Sequence, residues 1–227
     1  MRRTIFLLLA VVIVSSVDGK GKTRSALADV RPEAILREVN LARQNPALYA
    51  SFVDERRSHF TGKICALPGR TRLLTKEGAS AFVEAARFLR SARPRAPLSL
   101  SYGLCLAAQD LCRDQRSGRL GHNGSDRSAP STRINRHGSW SVACGEVIAY
   151  GQRNARDIVL ALIVDDGVPS RGHRENLFNP GFSVAGAAYG QHARYGSMCD
   201  IDLACVFTDH ALAQANGSSS FSRPREF

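Results

Sequence analysis

Three short stretches in the second half of the chain alternate apolar and polar residues, and this alternation constrains the fold more than any other feature. The stretches are SVACGEVIAYG, SVAGAAYGQH and SMCDIDLACVF, which are rich in Val, Ala, Ile and Tyr. A period of two residues is typical of β-strands. The small side chains of VAGAAYG further predict a strand on which a helix packs closely. The chain is therefore expected to build a sheet with helices against it.

Four other segments have the three-four spacing of apolar residues that is typical of helices. RPEAILREVNLARQNP begins with Pro32 and ends at Asn-Pro, and TKEGASAFVEAARFLRSA has Thr75 as its predicted cap. The third and fourth helices are LSYGLCLAAQDLCRDQ and ARDIVLALIVDD. The segment ERRSHFTGKICALPGR is predicted to be a long loop. Four helices and three short strands predict an α+β fold in which helices and sheet form layers.

The chain begins with the features of a secretory signal peptide. MRR is basic, IFLLLAVVIV is apolar, and SSVDG consists largely of small residues. An apolar run of about ten residues is shorter than the roughly 20 that a transmembrane helix needs, so we predict a secreted, extracellular protein without a membrane span. The predicted organisation is a signal peptide at residues 1–19, a short basic linker at 20–30, one domain at 31–210 and a disordered tail at 211–227.

The charge balance points to the kind of partner. The 227 residues include 31 Lys and Arg against 20 Asp and Glu, which gives a formal net charge of +11. Such a charge favours an anionic lipid surface or an acidic polysaccharide as a partner, or it only maintains solubility. The secretion signal, the spread of Arg along the whole chain and the lack of a nucleic-acid-binding motif argue against nucleic acid.

Six cysteines in an exported chain predict disulfide bonds. Cys105 and Cys112 lie on one predicted helix, roughly 10 Å apart, which is too far for a bridge. Cys199 and Cys205 lie on one predicted strand, roughly 20 Å apart. Long-range bridges are therefore expected, their connectivity is open, and six buried thiols are the alternative.

Taken in order, five motifs across residues 31–208 resemble the CAP superfamily, the secreted proteins related to cysteine-rich secretory, antigen 5 and pathogenesis-related 1 proteins. The motifs are VNLARQNP, GHNG, GEVIAYG, ALIVDDGVPSRGHRENLFNPGF and VAGAAYG. The chain looks most similar to the branch with DDGVPSRGHR, which lacks the Trp-rich helix of the animal venom forms. The resemblance implies a three-layer α-β-α sandwich of the CAP (SCP) type with a small central antiparallel sheet.

The resemblance also implies an open cleft in which two histidines and two acidic residues face each other. It assigns these positions to His122 of GHNG, Glu146 of GEVI, His173 of RGHR and Asp165 of LIVDD, with Asp166 as the alternative to Asp165. Many family members have Glu at the fourth position. Aspartate is one methylene shorter, which leaves open whether its carboxylate reaches the cleft centre.

Charged and hydroxyl side chains near these four residues are expected to form the rim of the cleft. The predicted rim consists of Arg171, Arg174, Asp166 and Ser125. The two arginines either attract anionic ligands or form salt bridges with Asp166 and Glu175.

Three roles are open for the four cleft residues. Two imidazoles and two carboxylates can bind zinc or another divalent cation, with the acids as ligands or as acceptors for the ring N–H groups. They can instead form a structural hydrogen-bonded cluster. Catalysis would use Ser125 or Ser170 with a histidine, or a metal-activated water with Glu146 as base, but no HExxH or GxSxG motif supports it.

These observations favour a secreted binding or effector module over an enzyme, with a secreted hydrolase as the alternative. The family resemblance suggests a lipid or sterol as ligand, and another protein is a further candidate partner. A purely structural secreted protein, which would not need an accessible histidine pair, is the third hypothesis.

Overall fold

A computed structural model of the protein describes residues 30–210 in full and the backbone of residues 3–5. The predicted cleavage site, most of the predicted linker and the predicted tail at residues 211–227 lie outside this described part of the chain. Of the helices in residues 30–210, none combines the length and the apolar composition that crossing a bilayer requires.

The described residues form seven α-helices and eight strands. The helices are α1 (Pro32–Gln44), α2 (Pro46–Arg57), α3 (Ala79–Ser91), α4 (Tyr102–Asp114), α5 (Pro130–His137), α6 (Ala155–Val164) and α7 (Gly172–Phe178). The strands are β1 (Arg3–Ile5), β2 (Phe60–Thr61), β3 (Ile64–Cys65), β4 (Leu73–Leu74), β5 (Ser99–Leu100), β6 (Gly138–Tyr150), β7 (Val184–His192) and β8 (Gly196–Asp209).

The central sheet has the strand order β1-β6-β8-β7-β5. Its three long strands, β6, β8 and β7, are the three predicted from the alternating pattern, and they pair antiparallel. The short strands β1 and β5 pair parallel to β6 and β7 at the two edges. The sheet therefore places side chains of β6 and β8 next to each other at its centre.

Helices cover both faces of this sheet. One face packs against α1, α2, α3, α6 and α7 in the largest apolar cluster, which includes Val147, Ala187 and Ile201 from the strands. The opposite face packs against α4 and α5 through two smaller clusters that include Ala204 and Met198. The α-β-α sandwich with a small, largely antiparallel sheet is thus confirmed.

The small residues of VAGAAYG have the role that their size predicts. A Cβ atom added to Gly186 of β7 would fall far inside van der Waals contact with backbone atoms of Leu104 and Cys105 on α4. Only glycine lets the helix backbone approach the strand this closely. The close packing of α4 on β7 is therefore confirmed.

Three helices and a second sheet were not predicted. Asn45-Pro46 ends α1 but also begins α2, because proline suits the first position of a helix. The predicted loop ERRSHFTGKICALPGR includes the end of α2 and the short strands β2 and β3. These strands pair antiparallel with each other, and β3 also pairs with β4. Thr75 does not cap α3 as its N-cap residue. Gly78 takes that position, and the Thr75 hydroxyl accepts a hydrogen bond from its N–H at 3.1 Å.

The predicted disulfides are not confirmed, because all six cysteines are free thiols. Cys105 and Cys112 do share α4, and Cys199 and Cys205 do share β8, as predicted. Burial raises the pKa of the Cys112 and Cys199 thiols well above its ordinary value, and nearby carboxylates act in the same direction. A domain of this size has a large apolar core that does not depend on bridges, so the alternative of unbridged thiols, four of them buried, describes the structure.

Candidate functional site

The first half of the site is built at the turn between α6 and α7. Asp165 follows the last residue of α6 with φ of 54°, in the left-handed region, and this turns the chain back toward the helix. Its carboxylate accepts the backbone N–H of His173 at 2.9 Å and contacts His173 Nδ1 at 2.6 Å. The shorter aspartate side chain therefore reaches the histidine.

His173 is fixed at one ring nitrogen only. Its side chain is 1% exposed, and its Nε2 atom is buried without a hydrogen-bond partner among the described residues. The residue lines a cavity of about 500 Å³. A buried imidazole nitrogen without a partner costs free energy unless something binds it.

The second half of the site joins a loop to the centre of the sheet. His122 lies in the loop between α4 and α5, and its Nδ1 atom is 2.6 Å from Oε1 of Glu146 on β6. The other carboxylate oxygen of Glu146 accepts a hydrogen bond from Arg133 of α5, which also donates to the Ser128 carbonyl at 2.8 Å. Glu146 and Arg133 are buried, and the His122 side chain is 14% exposed.

The four predicted cleft residues thus form two histidine–carboxylate pairs of the same kind. In both pairs the carboxylate contacts Nδ1. In His173 the unpartnered Nε2 is therefore the ring atom placed to bind a ligand. A carboxylate in this position orients an imidazole and increases its basicity toward a metal ion. Of the two roles left open for the acids, this geometry favours hydrogen-bond acceptor over direct ligand.

The cavity beside His173 combines apolar walls with charged groups. Leu73, Phe82 and Leu160 are among its apolar lining residues, and Arg56 and Arg70 are among its basic ones. Arg153, Asp157 and Asp166 also line this cavity. Such a lining suits a ligand that has both an apolar body and a negative group.

Asp157 holds two of the cavity arginines together. Its carboxylate contacts Arg56 at 2.5 Å and also contacts Arg70. Although burial opposes its charge, hydrogen bonds from Arg56 and Arg70 lower the pKa of Asp157. The pair of arginines is thereby partly neutralised at the cavity wall.

The predicted salt bridges of the rim arginines are wrong in their partners. Arg171 contacts both oxygens of Glu77 at 2.6 Å, and Arg174 contacts both oxygens of Glu84 at 2.8 and 2.5 Å. The sequence did not indicate these partners, because Glu77 and Glu84 lie about ninety residues earlier in the chain. Glu77 comes just before α3, and Glu84 lies within it. The arginines therefore fasten the turn to α3.

Asp166 contributes to the same connection. Its two carboxylate oxygens accept the backbone N–H groups of Lys76 and Glu77 at 2.7 and 2.8 Å. It does not pair with Arg171 or Arg174, although it lines the cavity.

Ser125 lies in a different place from the one its spacing suggested. Its hydroxyl and its N–H both bind the carboxylate of Asp114, the N–H at 2.9 Å. It lines a second cavity of about 260 Å³ that also contains Asp110 and Arg136. The contacts of its hydroxyl do not support a role as nucleophile with His122.

Two acidic residues close to Glu146 were missed from the sequence. Asp200 and Asp202 of β8 are fully buried, and together with Glu146 they bring carboxylate oxygens within 4.8 Å of one another. Their signal was the pair of acids two residues apart in the apolar strand sequence CDIDLAC, which places both on one face. Among the described residues, these three are the side chains whose possible metal-ligating atoms lie this close together.

Comparisons with known proteins place the fold in a family. The sequence profile of the CAP family, described as the cysteine-rich secretory protein family, matches residues 70–207, which is more than half of the chain. Comparison with curated protein sequences gives no significant match.

Two solved structures match part of the chain at low similarity. One is an extracellular protein containing an SCP domain from Bacillus anthracis, with 15% identity over 56% of this chain and a TM-score of 0.40. The other is an outer surface protein from Borrelia burgdorferi, with 17% identity over 48% of this chain and a TM-score of 0.37. The matched regions span 37% and 78% of those chains. With its profile match and its α-β-α sandwich, the chain belongs to the CAP family of cysteine-rich secretory proteins.

Proposed function

We propose that this protein is a secreted, extracellular binding module of the DDGVPSRGHR branch of the CAP family, in which His122 and His173 hold a divalent cation such as zinc. The observation that carries the proposal is the buried Nε2 atom of His173, which has no hydrogen-bond partner among the described residues and lies beside the cavity. Zinc binds neutral imidazole nitrogen, and a bound zinc ion would satisfy that atom.

The residues around the histidines fit such an ion. Glu146 and Asp165 each contact an Nδ1 atom at 2.6 Å, which fixes the orientation of both rings. In His173 this leaves the unpartnered Nε2 atom for the metal. The carboxylates also supply negative charge near the cation. When bound, the ion would act as a Lewis acid or as an anchor for a ligand group, while this chain's own residues orient the imidazoles.

The cavity supports an amphipathic ligand, such as a lipid or sterol, in preference to a polysaccharide. Its apolar wall includes Leu73, Phe82 and Leu160, whereas Arg56, Arg70 and Arg153 supply positive charge. An apolar ligand body gains free energy by leaving water, and an acidic group on it would pair with the arginines. The positive net charge of the chain also favours approach to an anionic surface.

Binding has more support than hydrolysis. Both carboxylate oxygens of Glu146 are engaged, by His122 and by Arg133, so Glu146 is poorly placed to accept a proton from water. The Ser125 hydroxyl is bound to Asp114. Two of the residues that a hydrolase would use, Glu146 and Ser125, are therefore committed to other contacts.

Zinc titration by isothermal calorimetry tests the metal proposal. We expect His122→Ala and His173→Ala each to reduce zinc affinity at least tenfold, since removal of a ligand removes a metal bond. His137→Ala is the matched control, because His137 also pairs with an aspartate, Asp110, at 2.8 Å but lies outside the site. Zinc binding that is unchanged in the first two variants would refute the proposal.

Unfolding measurements separate this role from a structural one. If His122→Ala and His173→Ala both unfold at a much lower temperature than His137→Ala, the pairs serve the fold as a hydrogen-bonded cluster. Unchanged stability with lost zinc binding supports the metal site.

A further inference from the structure

A second set of carboxylates lies at the centre of the sheet. Glu146 on β6 stands directly opposite Asp202 on β8, and Asp200 precedes Asp202 by two residues. Side chains at these positions project from the same face of the sheet. This face carries α4 and α5, so the three carboxylates, here called the sheet carboxylates, are enclosed beneath helices.

Two of the three sheet carboxylates, Asp200 and Asp202, are buried without hydrogen-bond partners in the described part of the chain. Asp200 and Asp202 are both 0% exposed, and none of their four oxygens has a hydrogen-bond partner among the described residues. By contrast, Glu146 accepts a hydrogen bond from Arg133, and the buried carboxylate of Asp165 accepts the backbone N–H of His173. Burial of an ionised carboxylate without a partner is strongly unfavourable. The arrangement therefore requires a positively charged group or protons.

The charges at this place do not balance. Three carboxylates carry three negative charges when ionised, and Arg133 is the buried cation beside them. Burial, followed by the charge of Glu146, raises the pKa of both Asp200 and Asp202 well above the ordinary range. One divalent cation would supply the two missing positive charges.

We propose that Glu146, Asp200 and Asp202 bind a hard divalent cation of the class of Ca²⁺ and Mg²⁺. Their ligand oxygens lie within 4.8 Å of one another, which lets them converge on one ion. Carboxylate oxygens are the ligands that Ca²⁺ and Mg²⁺ prefer, whereas sulfur and imidazole favour zinc. The site differs from the proposed histidine site in its ligands, and its existence does not depend on zinc.

Such an ion would connect the two central strands. It would join β6 to β8 beneath α4 and keep Glu146 ionised, the form that accepts from Arg133 and His122. The cation would thereby stabilise the fold and position the loop that carries His122. Two retained protons, one on each aspartate, are the competing account of the same cluster.

Thermal unfolding with Ca²⁺ or Mg²⁺ after treatment with EDTA tests the proposal on the mature protein. Samples are equilibrated at length, because the site is enclosed. An ion that binds only the folded state makes unfolding about 100-fold less favourable when its concentration is about 100 times its Kd. We expect the wild type to gain stability steadily with ion concentration and to bind one ion per chain in equilibrium dialysis.

Variants assign the ion to the sheet carboxylates. The Asp200→Asn/Asp202→Asn double variant is expected to lose the Ca²⁺ or Mg²⁺ response and to be more stable than the EDTA-treated wild type at neutral pH, because two buried charges are gone. Asp126→Asn, at an exposed acid outside the cluster, should keep the response. If the double variant does not fold, the dialysis of the wild type still decides whether an ion binds.

Further outcomes distinguish this proposal from the zinc proposal. His173→Ala should retain the Ca²⁺ or Mg²⁺ response, and the double variant should retain zinc binding. A wild type that binds neither Ca²⁺ nor Mg²⁺ and gains no stability from them would overturn the inference in favour of protonated aspartates.

Discussion

At the scale of single residues, steric demand and buried polar groups decide what this structure tolerates. Gly186 is required by the backbone of α4, which leaves no room for a side chain. Arg43 shows the polar counterpart, since its buried guanidinium donates to the carbonyl oxygens of Ala96 at 2.9 Å and Leu177 at 2.6 Å. Burial, with the nearby charge of Arg95, lowers the pKa of Arg43 to about 10. Gly186 therefore allows α4 to pack closely on β7, and Arg43 connects α1 to neighbouring segments by hydrogen bonds.

We expect Gly186→Ala to lower the free energy of unfolding by about 3 kcal/mol or more, because forced overpacking moves helix backbone rather than a flexible side chain. Gly190→Ala on the same strand is the control, since its added Cβ would lie 3.6 Å from the Cys112 Cβ, an ordinary contact. Urea denaturation of the two variants measures the difference. Equal stability would mean that α4 can move away from β7 at little cost.

At the scale of elements, the turn between α6 and α7 gathers groups from distant parts of the chain. Asp165 and Arg171 both have left-handed backbone conformations, with φ of 54° and 52°. These conformations are unfavourable for residues other than glycine, and they are held here by the bonds of Asp165 to His173 and of Arg171 to Glu77. The turn is therefore ordered by its own charged side chains, which explains their density in DDGVPSRGHRENL.

The first turn of α6 supplies a pH-dependent contribution to stability. Asp157 accepts hydrogen bonds from Arg56, Arg70 and the Asn154 side chain, and the two arginines hold its pKa below the ordinary value. A carboxyl whose pKa is lower in the folded state stabilises the fold above its unfolded pKa of about 4, and this is lost as the pH falls through the folded pKa. Asp157→Asn should lower the free energy of unfolding at pH 7 by about 1–3 kcal/mol.

The pH dependence provides the control for this variant. The stability difference between wild type and Asp157→Asn should shrink as the pH falls from about 5 toward 2, because the wild-type carboxyl is then neutral too. Denaturation curves at several pH values check this. A difference that stays constant over the range would show that packing, not charge, causes the loss.

At the scale of the whole molecule, the two histidine–carboxylate pairs are built from different elements of the sandwich. His122 and Glu146 belong to a loop and to β6, whereas Asp165 and His173 flank the α6–α7 turn. Export remains a prediction from residues 1–19, which fall largely outside the described part of the chain.

Intact-mass measurement of secreted protein tests export and thiol state together. We expect a mature N-terminus near Lys20 and, after unfolding without reductant, the uptake of one alkylating group by each of the six free thiols. Retention of Met1 would contradict the signal peptide. A mass that shows fewer than six added groups would mean that some cysteines of the secreted protein form disulfide bonds.

The sequence by itself determined the class of fold, the three long strands and four of the helices, because periodicity records which side of each element is buried. It also identified the residues of both histidine–carboxylate pairs, through the ordered family motifs. It did not identify α2, because Asn45-Pro46 was interpreted only as the end of α1. It also did not identify α5 and α7, since helices of 8 and 7 residues are too short for a clear period. The strand alternation predicted β8, but no role was assigned to the two acids of CDIDLAC.

Only the tertiary structure decided the partners. Arg171 and Arg174 pair with Glu77 and Glu84 rather than with neighbours in their own loop, and the six cysteines are unbridged. The sheet register sets Glu146 opposite Asp202 beneath a helix. Charge pairing and burial depend on distances between elements that are remote in sequence, and spacing along the chain carries no information about those distances.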